Sequence, residues 1–257
     1  MKETKWIFAA GMRRSGSTVQ YNIARDLLIA MRDNENIMPE PKPETSFLFA
    51  GFVTWQNFDA LYKANNSKYD YILLKSHVYI PDYSTTAKGL VMDSGRVVVL
   101  SAHRDLRDVA ASLMKWQKDM TWKRIMYGDG THHGELNAVM NEHNSWHSSV
   151  AQQYLHDSNY KFILNSLPCE VTRIAAKIGI NGVMNELRDE IAIDNSLHNV
   201  EAYIDKMKGA WDGANTLYHK AHIQSGEIGR YKAELTKGQI ADVEYLAHDW
   251  LTRKGYL

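Results

Sequence analysis

The stretch Trp6-Ile-Phe-Ala-Ala10, followed by Gly11-Met-Arg-Arg-Ser-Gly-Ser-Thr18 and then by Thr18–Arg32, decides the fold. The first five residues form a short apolar run, as a strand buried on both faces of a parallel sheet does. Thr18–Arg32 places Val19, Ile23, Leu27 and Met31 at four-residue intervals, which predicts an amphipathic helix. The Gly-containing loop between them directs backbone N–H groups and the positive helix end at an anion.

Three further segments read as strands: Asp70–Leu74, Arg96–Ser101 and Tyr160–Leu164. Helical patterns cover Leu106–Lys118 and Glu135–His156, and the chain after Leu164 reads as mostly helical. Strands alternating with helices predict an α/β protein: a P-loop-like open parallel β-sheet of four to five strands flanked by helices, with a helical C-terminal part. Pro39–Glu44 reads as a surface loop, because each Pro removes a donor and restricts its neighbour. Asp119–Gly134, with Gly128, Gly130, Gly134 and His132–His133, reads as a long loop with little structure of its own. No linker divides the chain, so residues 1–257 are expected to form one domain.

Composition excludes several classes. Of 257 residues, 44% are apolar and 23% charged, which argues against disorder. Thirty basic residues balance thirty acidic ones, so a general nucleic-acid binder is not expected and any anion site must be local. The lone cysteine, Cys169, excludes an intrachain disulfide framework or a Cys-built zinc site and reads as a small buried residue. No apolar run approaches the roughly 20 residues of a membrane span. The first residues lack a signal-peptide core, so a cytoplasmic location is expected.

The loop can be compared with the nucleotide P-loop, G-x-x-x-x-G-K-[ST]. Gly11, Gly16 and Thr18 fit, but Ser17 stands where the lysine belongs, and Arg14 precedes Gly16 by two places. Such a loop suits a phosphate but not a triphosphate with Mg²⁺; alone, it also fits an ordinary strand-to-helix turn with a Ser/Thr cap. After the third strand comes His103-Arg-Asp-Leu-Arg-Asp-Val-Ala-Ala-Ser112. Arg104 and Ser112 could converge on one phosphate. On its own, the run also reads as a solvated, self-paired helix start.

Together these segments resemble the sulfotransferases that use 3′-phosphoadenosine 5′-phosphosulfate (PAPS). Arg14-Ser-Gly-Ser-Thr18 is similar to their phosphosulfate loop, and Arg104 to Ser112 resembles their R-x-x-[KR]-D-V-A-x-S segment. Leu74-Lys-Ser-His77 resembles the K-T-H motif at a strand end. Gly226-Glu-Ile-Gly229-Arg-Tyr-Lys232 resembles the R-K-G-x-x-G-x-W-K loop, and the ending with Trp250 and Gly255-Tyr256 looks like the helix that follows it. The matches come in family order from residue 6 to residue 256.

The resemblance implies sulfuryl transfer from PAPS to a hydroxyl or similar nucleophile, without a metal, leaving adenosine 3′,5′-bisphosphate. It implies that Ser15, Gly16, Ser17 and Thr18 bind the 5′-phosphate and that Arg14 neutralises the leaving bridging oxygen. It implies that Arg104 and Ser112 hold the 3′-phosphate, that Gly226, Gly229 and Lys232 close over it, and that His77 is the general base. Lys75, two residues before His77, shares its strand face and could help with sulfonate charge; it reads equally as a cation at a strand end.

The chain departs from the family at several points. Val19 replaces a Trp that stacks on adenine, and Leu164-Asn-Ser-Leu-Pro168 replaces an R-Y-E-D-L stretch, with Asn165 or Ser166 as substitute contacts. The R-K pair is Gln224-Ser225, with Arg230 or His222 as possible compensation. The chain's brevity is similar to compact bacterial members that decorate natural products, which implies a small-molecule acceptor such as a hydroxylated secondary metabolite.

Trp116, Trp122, Tyr127 and Trp146, or the stretch Phe47–Tyr62 with Phe49, Phe52, Trp55 and Phe58, are candidates for an acceptor wall. His143 and His147 share a helix face, but they lack the full H-E-x-x-H pattern; no metal site is expected there. The competing functions are a P-loop kinase-like phosphotransferase, against which Ser17 argues, and a non-catalytic nucleotide-binding module, against which His77 and Arg14 together argue.

Overall fold

Strands β1 (Lys5–Ala9), β2 (Phe47–Phe52), β3 (Tyr71–Lys75), β4 (Val97–His103) and β5 (Leu155–Asn159) hydrogen-bond in the order β2-β3-β1-β4-β5, every pair parallel. The structure is a computed structural model and describes residues 3–33, 44–92, 95–116, 120–129, 134–150, 152–207, 216–218 and 226–257. The helices in the sheet half are α1 (Ser17–Asp33), α2 (Trp55–Asn65), α3 (Thr85–Met92), α4 (Leu106–Trp116), α5 (Trp122–Tyr127) and α6 (Glu135–Ser149). After β5 come α7 (Tyr160–Asn165), α8 (Leu167–Ile178), α9 (Asn185–Asp194), α10 (Leu197–Lys206), α11 (Tyr231–Glu234), α12 (Lys237–Leu246) and α13 (His248–Arg253).

Strand alternation divides the core. In β1, Ile7 and Ala9 face one layer with Leu27 and Leu28 of α1, Val171 and Ile174 of α8 and Leu187 of α9. Trp6 and Phe8 face the opposite layer with Phe58 of α2, Leu90 of α3 and Trp146 of α6. A third cluster joins α4, α5, α6, α12 and α13 through Val109, Ile125, Val139, Val243 and Trp250. Helices on both faces of a parallel sheet are the architecture expected from the sequence.

Several elements differ from expectation. Tyr160–Leu164 is not the fourth predicted strand; those residues belong to α7, and β5 is the polar run just before them. Asn159 causes the change, because its side chain accepts from the Lys161 N–H at 2.8 Å and caps the helix. The helix predicted over Glu135–His156 stops at Ser149, where Val150 turns extended and the chain enters β5. Within the predicted loop Asp119–Gly134, Trp122–Tyr127 forms α5, capped by Thr121. Cys169 is exposed on α8, not buried. The edge strand β2 arises within the aromatic stretch read only as a possible acceptor wall. Asn34–Pro43, Gly130 and His132–His133 lie outside the described residues.

β5 lacks the apolar signature of a buried strand because its polar side chains are satisfied inside the protein. Glu170 of α8 is fully buried. Its Oε1 lies 2.9 Å from His156 Nε2 and accepts from Gln20 Nε2 at 3.0 Å, and its Oε2 accepts from Ser158 Oγ at 2.8 Å. These bonds outweigh burial and hold the Glu170 carboxyl below its ordinary value. Glu170→Ala strands several buried donors at once. It is expected to cost about 3 kcal/mol, a fall of roughly 6–12 °C in Tm by thermal denaturation. A fall of under 2 °C would show that the network does not hold β5.

Candidate active site

The site is built where β1, β3 and β4 end, on the side of the sheet where crevices open beyond the carboxyl ends of strands. The loop after β1 is pulled onto β4. Met12 N–H donates to Ala102 O at 2.9 Å, and Ser15 Oγ lies 2.6 Å from Met12 O and 2.8 Å from Ala102 O. A Cβ on Gly11 would stand 2.7 Å from Ala102 N, closer than real side chains come, so this contact requires glycine. Gly16 has φ of 92° and Arg14 has φ of 66°, an αL conformation that costs a non-glycine residue about 1–3 kcal/mol. The chain then enters α1 at Ser17; the Val19 and Gln20 N–H groups turn back to Gly16 O at 2.9 and 3.2 Å, and those before them are the ones a helix start leaves for an outside acceptor.

Arg14 Nε donates to Ser112 Oγ at 2.8 Å, joining the two segments read separately as phosphate sites. Burial, then the neighbouring Arg104, lowers the Arg14 guanidinium to about 10, still charged at neutral pH. Lys75, the last residue of β3, is 3% exposed and donates to Thr18 Oγ1. Burial, with Arg14 adding repulsion, lowers its ammonium to about 7.

His77 Nδ1 lies 3.0 Å from Gly11 O. A carbonyl only accepts, so Nδ1 carries the proton and Nε2 keeps its lone pair. Burial, then the Lys75 charge, holds this imidazole well below 6.5, so it is neutral at physiological pH. Its ring packs 5.7 Å from that of Phe52.

Arg104 is 5% exposed. Its guanidinium stacks over the Tyr160 ring at 4.3 Å, donates to Glu227 O at 2.6 Å and lies 3.5 Å from Asp108 Oδ2. Its Nε is buried without a hydrogen-bond partner among the described residues. Asp108 also fastens the C-terminal loop, accepting from Gly229 N–H at 2.8 Å and Tyr231 N–H at 3.1 Å. The run from Arg104 to Asp108 is therefore self-paired but buried, not a solvated helix start.

Arg14, Gly16, Ser17, Thr18, Lys75, His77, Arg104, Ser112 and Gly226 share one cavity of about 410 Å³. Its lining contains Arg13, Arg14, Lys75, Arg104 and Arg230 but no carboxylate among the described residues. The rest is largely apolar, including Phe52, Val78, Leu164, Leu167 and Leu217.

Three expected residues stand outside this lining. The Ser15 hydroxyl is committed to the loop, the Gly229 N–H is held by Asp108, and Lys232 projects outward beside Tyr231. Arg230, ion-paired with Glu234 at 2.8 Å, supplies the cation in place of Lys232. Leu164 and Leu167, not Asn165 or Ser166, face the cavity.

Of the described aromatic candidates only Phe52 lines it. Trp146 is buried against Phe8 and Tyr79, Trp122 donates to Asp242, Tyr127 is exposed, and Trp55 stacks on Tyr83. The Trp116 side chain, His222 and Gln224–Ser225 lie outside the described residues. The apolar run that predicts a strand over Tyr160–Leu164 hides Tyr160 from the sequence; its place directly after β5 matches that of Arg104 after β4 and is the one signal for it.

No family model matches the chain. No curated protein matches it either. Solved structures do. The chain is similar to mouse sulfotransferase SULT7A1 complexed with PAP, with a TM-score of 0.67 and 13% identity, covering 98% of this chain and 84% of that one. It is also similar to retinol dehydratase in complex with retinol and PAP, with a TM-score of 0.60, 16% identity and coverage of 98% and 82%. Retinol dehydratase with androsterone and the inactive cofactor PAP gives a TM-score of 0.59 at 15% identity, covering 98% and 81%. The chain therefore has the sulfotransferase fold: a five-stranded parallel sheet flanked by helices, with a helical C-terminal region.

Because Asp108 holds two loop amides and pairs with Arg104, Asp108→Ala is expected to release the segment from Gly226 to Glu234. Hydrogen exchange of its amides should accelerate at least about tenfold, the loss of more than about 1.4 kcal/mol of local protection. Unchanged exchange there would show that other contacts hold the loop.

Proposed function

We propose that the protein is a PAPS-dependent sulfotransferase acting on a hydroxyl, or similar nucleophile, of a small molecule. The observation that carries this reading is the convergence of five cationic side chains with a neutral histidine. Arg13, Arg14, Lys75, Arg104 and Arg230 share with His77 one cavity whose described lining has no carboxylate. Such a cavity favours a multiply anionic ligand and leaves its base unprotonated. The three similar solved structures are all complexes with PAP, which agrees with this reading.

The residues fit the two ends of such a nucleotide. Gly16, Ser17 and Thr18 at the start of α1 hold the 5′-phosphate through helix N–H groups and hydroxyls. Arg104 and Ser112 hold the 3′-phosphate, Arg104 Nε having no hydrogen-bond partner among the described residues and being a charge-assisted donor. Gly226 and Arg230 close the cavity from the C-terminal loop, and Val19, Leu164, Leu167 and Tyr160 offer apolar surface to a base.

The cosubstrate supplies an activated sulfuryl group. His77 Nε2 takes the acceptor proton, while Nδ1–H stays bonded to Gly11 O and fixes the ring. Arg14 and Lys75 neutralise the charge that develops as adenosine 3′,5′-bisphosphate leaves. Phe52 and Val78 lie beside His77 and give the acceptor an apolar seat, as suits a natural-product scaffold.

Calorimetry with adenosine 3′,5′-bisphosphate against ATP, without added metal, tests the reading. Preference for the bisphosphate supports it; preference for ATP turns it toward a kinase. His77→Ala is expected to lower kcat at least about 100-fold with bisphosphate affinity unchanged, and full activity would remove His77 as base. Arg104→Ala should weaken bisphosphate binding about tenfold or more.

Lys75 makes binding pH-dependent. Its ammonium stands near 7 in the free protein and rises when a phosphate adjoins it, so at pH 8 binding takes up a proton, and affinity falls as pH rises through 7 to 8. Titrations in two buffers of different ionisation enthalpy should show this uptake, and Lys75→Met should abolish it.

A further inference from the structure

A second cluster of chemistry-bearing side chains lies at the β5 edge, away from the cavity. His143 and His147 stand one turn apart on α6, and Asp157 projects from β5 toward them. One ligand atom of each lies within 4.8 Å of the other two. His143 is 1% exposed, and its Nε2, together with His147 Nε2 and Asp157 Oδ1, is buried without a hydrogen-bond partner among the described residues. His143 Nε2 and Asp157 Oδ1 thus stay unsatisfied among the described residues, and His147 Nε2 has only the carboxylate's other oxygen, Oδ2, beside it at 3.3 Å, which is unusual for buried polar groups.

We infer that His143, His147 and Asp157 bind a divalent transition-metal ion of the zinc class, at a site separate from the cavity and structural in role.

The donor set fits. Two imidazoles and one carboxylate suit zinc, and ligand atoms around a tetrahedral ion with bonds of about 2.1 Å stand roughly 3.4 Å apart. His147 Nε2 and Asp157 Oδ2 are already 3.3 Å apart, so rotation of His143 and Asp157 completes the closure. His143 Nδ1 lies 3.3 Å from Ser101 Oγ, a contact that orients the ring and leaves Nε2 to the ion.

His103 Nε2, 3.7 Å from Asp157 Oδ2, is in reach of the fourth position, with its Nδ1 3.0 Å from Tyr256 Oη. His147 and Asp157 retain 23% and 19% side-chain exposure, which gives an ion access.

Lys254 is the competitor. Its ammonium donates to Asp157 Oδ2 at 2.9 Å and leaves Oδ1 free. It follows α13 on a flexible four-carbon stem, so it can turn to solvent when an ion enters. An ion here would tie α6 to β5, two residues before Asn159 and the Tyr160 that supports Arg104.

The experiment is titration of chelator-treated full chain with Zn²⁺ alone, read by competition with a chromophoric chelator and by Tm, with Co²⁺ as a spectroscopic substitute. One Zn²⁺ per chain, a rise of several degrees in Tm and the visible absorption of four-coordinate Co²⁺ are expected. His147→Ala and Asp157→Asn should weaken Zn²⁺ at least about tenfold, and circular dichroism confirms that each is folded. Lys254→Met should tighten it, because an ammonium no longer competes for the carboxylate. His248→Ala, an exposed histidine on α13, should change nothing. No stoichiometric uptake, uptake unaffected by His147→Ala, or equal loss in His248→Ala would overturn the inference.

Discussion

Everything in the cavity depends on how closely the β1–α1 loop lies against the end of β4. The gap is set by a missing atom: Gly11 has no Cβ to meet Ala102 N. The Met12–Ala102 backbone bond and the shared proton of Ser15 then draw the loop down. Only from that position does Arg14 reach Ser112 on α4, Thr18 reach Lys75 on β3 and Gly11 O reach His77. Ser15 thus acts on the site by shaping the loop. Its neighbours Gly16, Ser17 and Thr18 face the cavity, because two positions with positive φ flanking Ser15 reverse the chain direction.

Packing several cations together in a poorly solvated place is unfavourable, and the fold offsets it unevenly. Arg104 rests on the Tyr160 ring and on Asp108, and Arg230 rests on Glu234. Lys75 instead has a hydroxyl, and its ammonium is lowered to about 7. Arg13, Arg104 and Arg230 have carboxylate partners, Glu135, Asp108 and Glu234, while the lysine nearest His77 has the weaker compensation. An anion at that end would relieve the most repulsion, so the electrostatics grade the cavity toward His77.

The sequence was legible where one local rule sufficed. A glycine loop between an apolar strand and an amphipathic helix carried β1, α1 and the anion site, and the Arg-to-Ser spacing carried the start of α4. It was illegible where a partner far along the chain decides the outcome. β5 is hidden because the helical pattern runs on through His156 and because His156 and Ser158 are polar, yet Glu170 satisfies both. Tyr160 and Lys232 show the same limit from opposite sides. A helix cap moved Tyr160 from a strand into the cavity, and the turn after Gly229 sent Lys232 to solvent while bringing Arg230 inward. The aromatic residues were misleading because size alone favours them for the core, where Trp146 resides.

β5 also bears on why the sheet can be polar at one edge. Strands buried on two faces are normally apolar on both. Here alternation sends His156 and Ser158 to the α8 face and Asp157 and Asn159 to the α6 and C-terminal face. Each face meets a complementary network: Glu170 with Gln20 on one side, three histidines with Lys254 and Tyr256 on the other. Such pairing is directional where apolar contact is not, so it fixes the strand's register as well as burying it. Register matters because β5 ends one residue before Tyr160. A slip of one position would turn the ring away from Arg104 and leave a buried guanidinium without its platform.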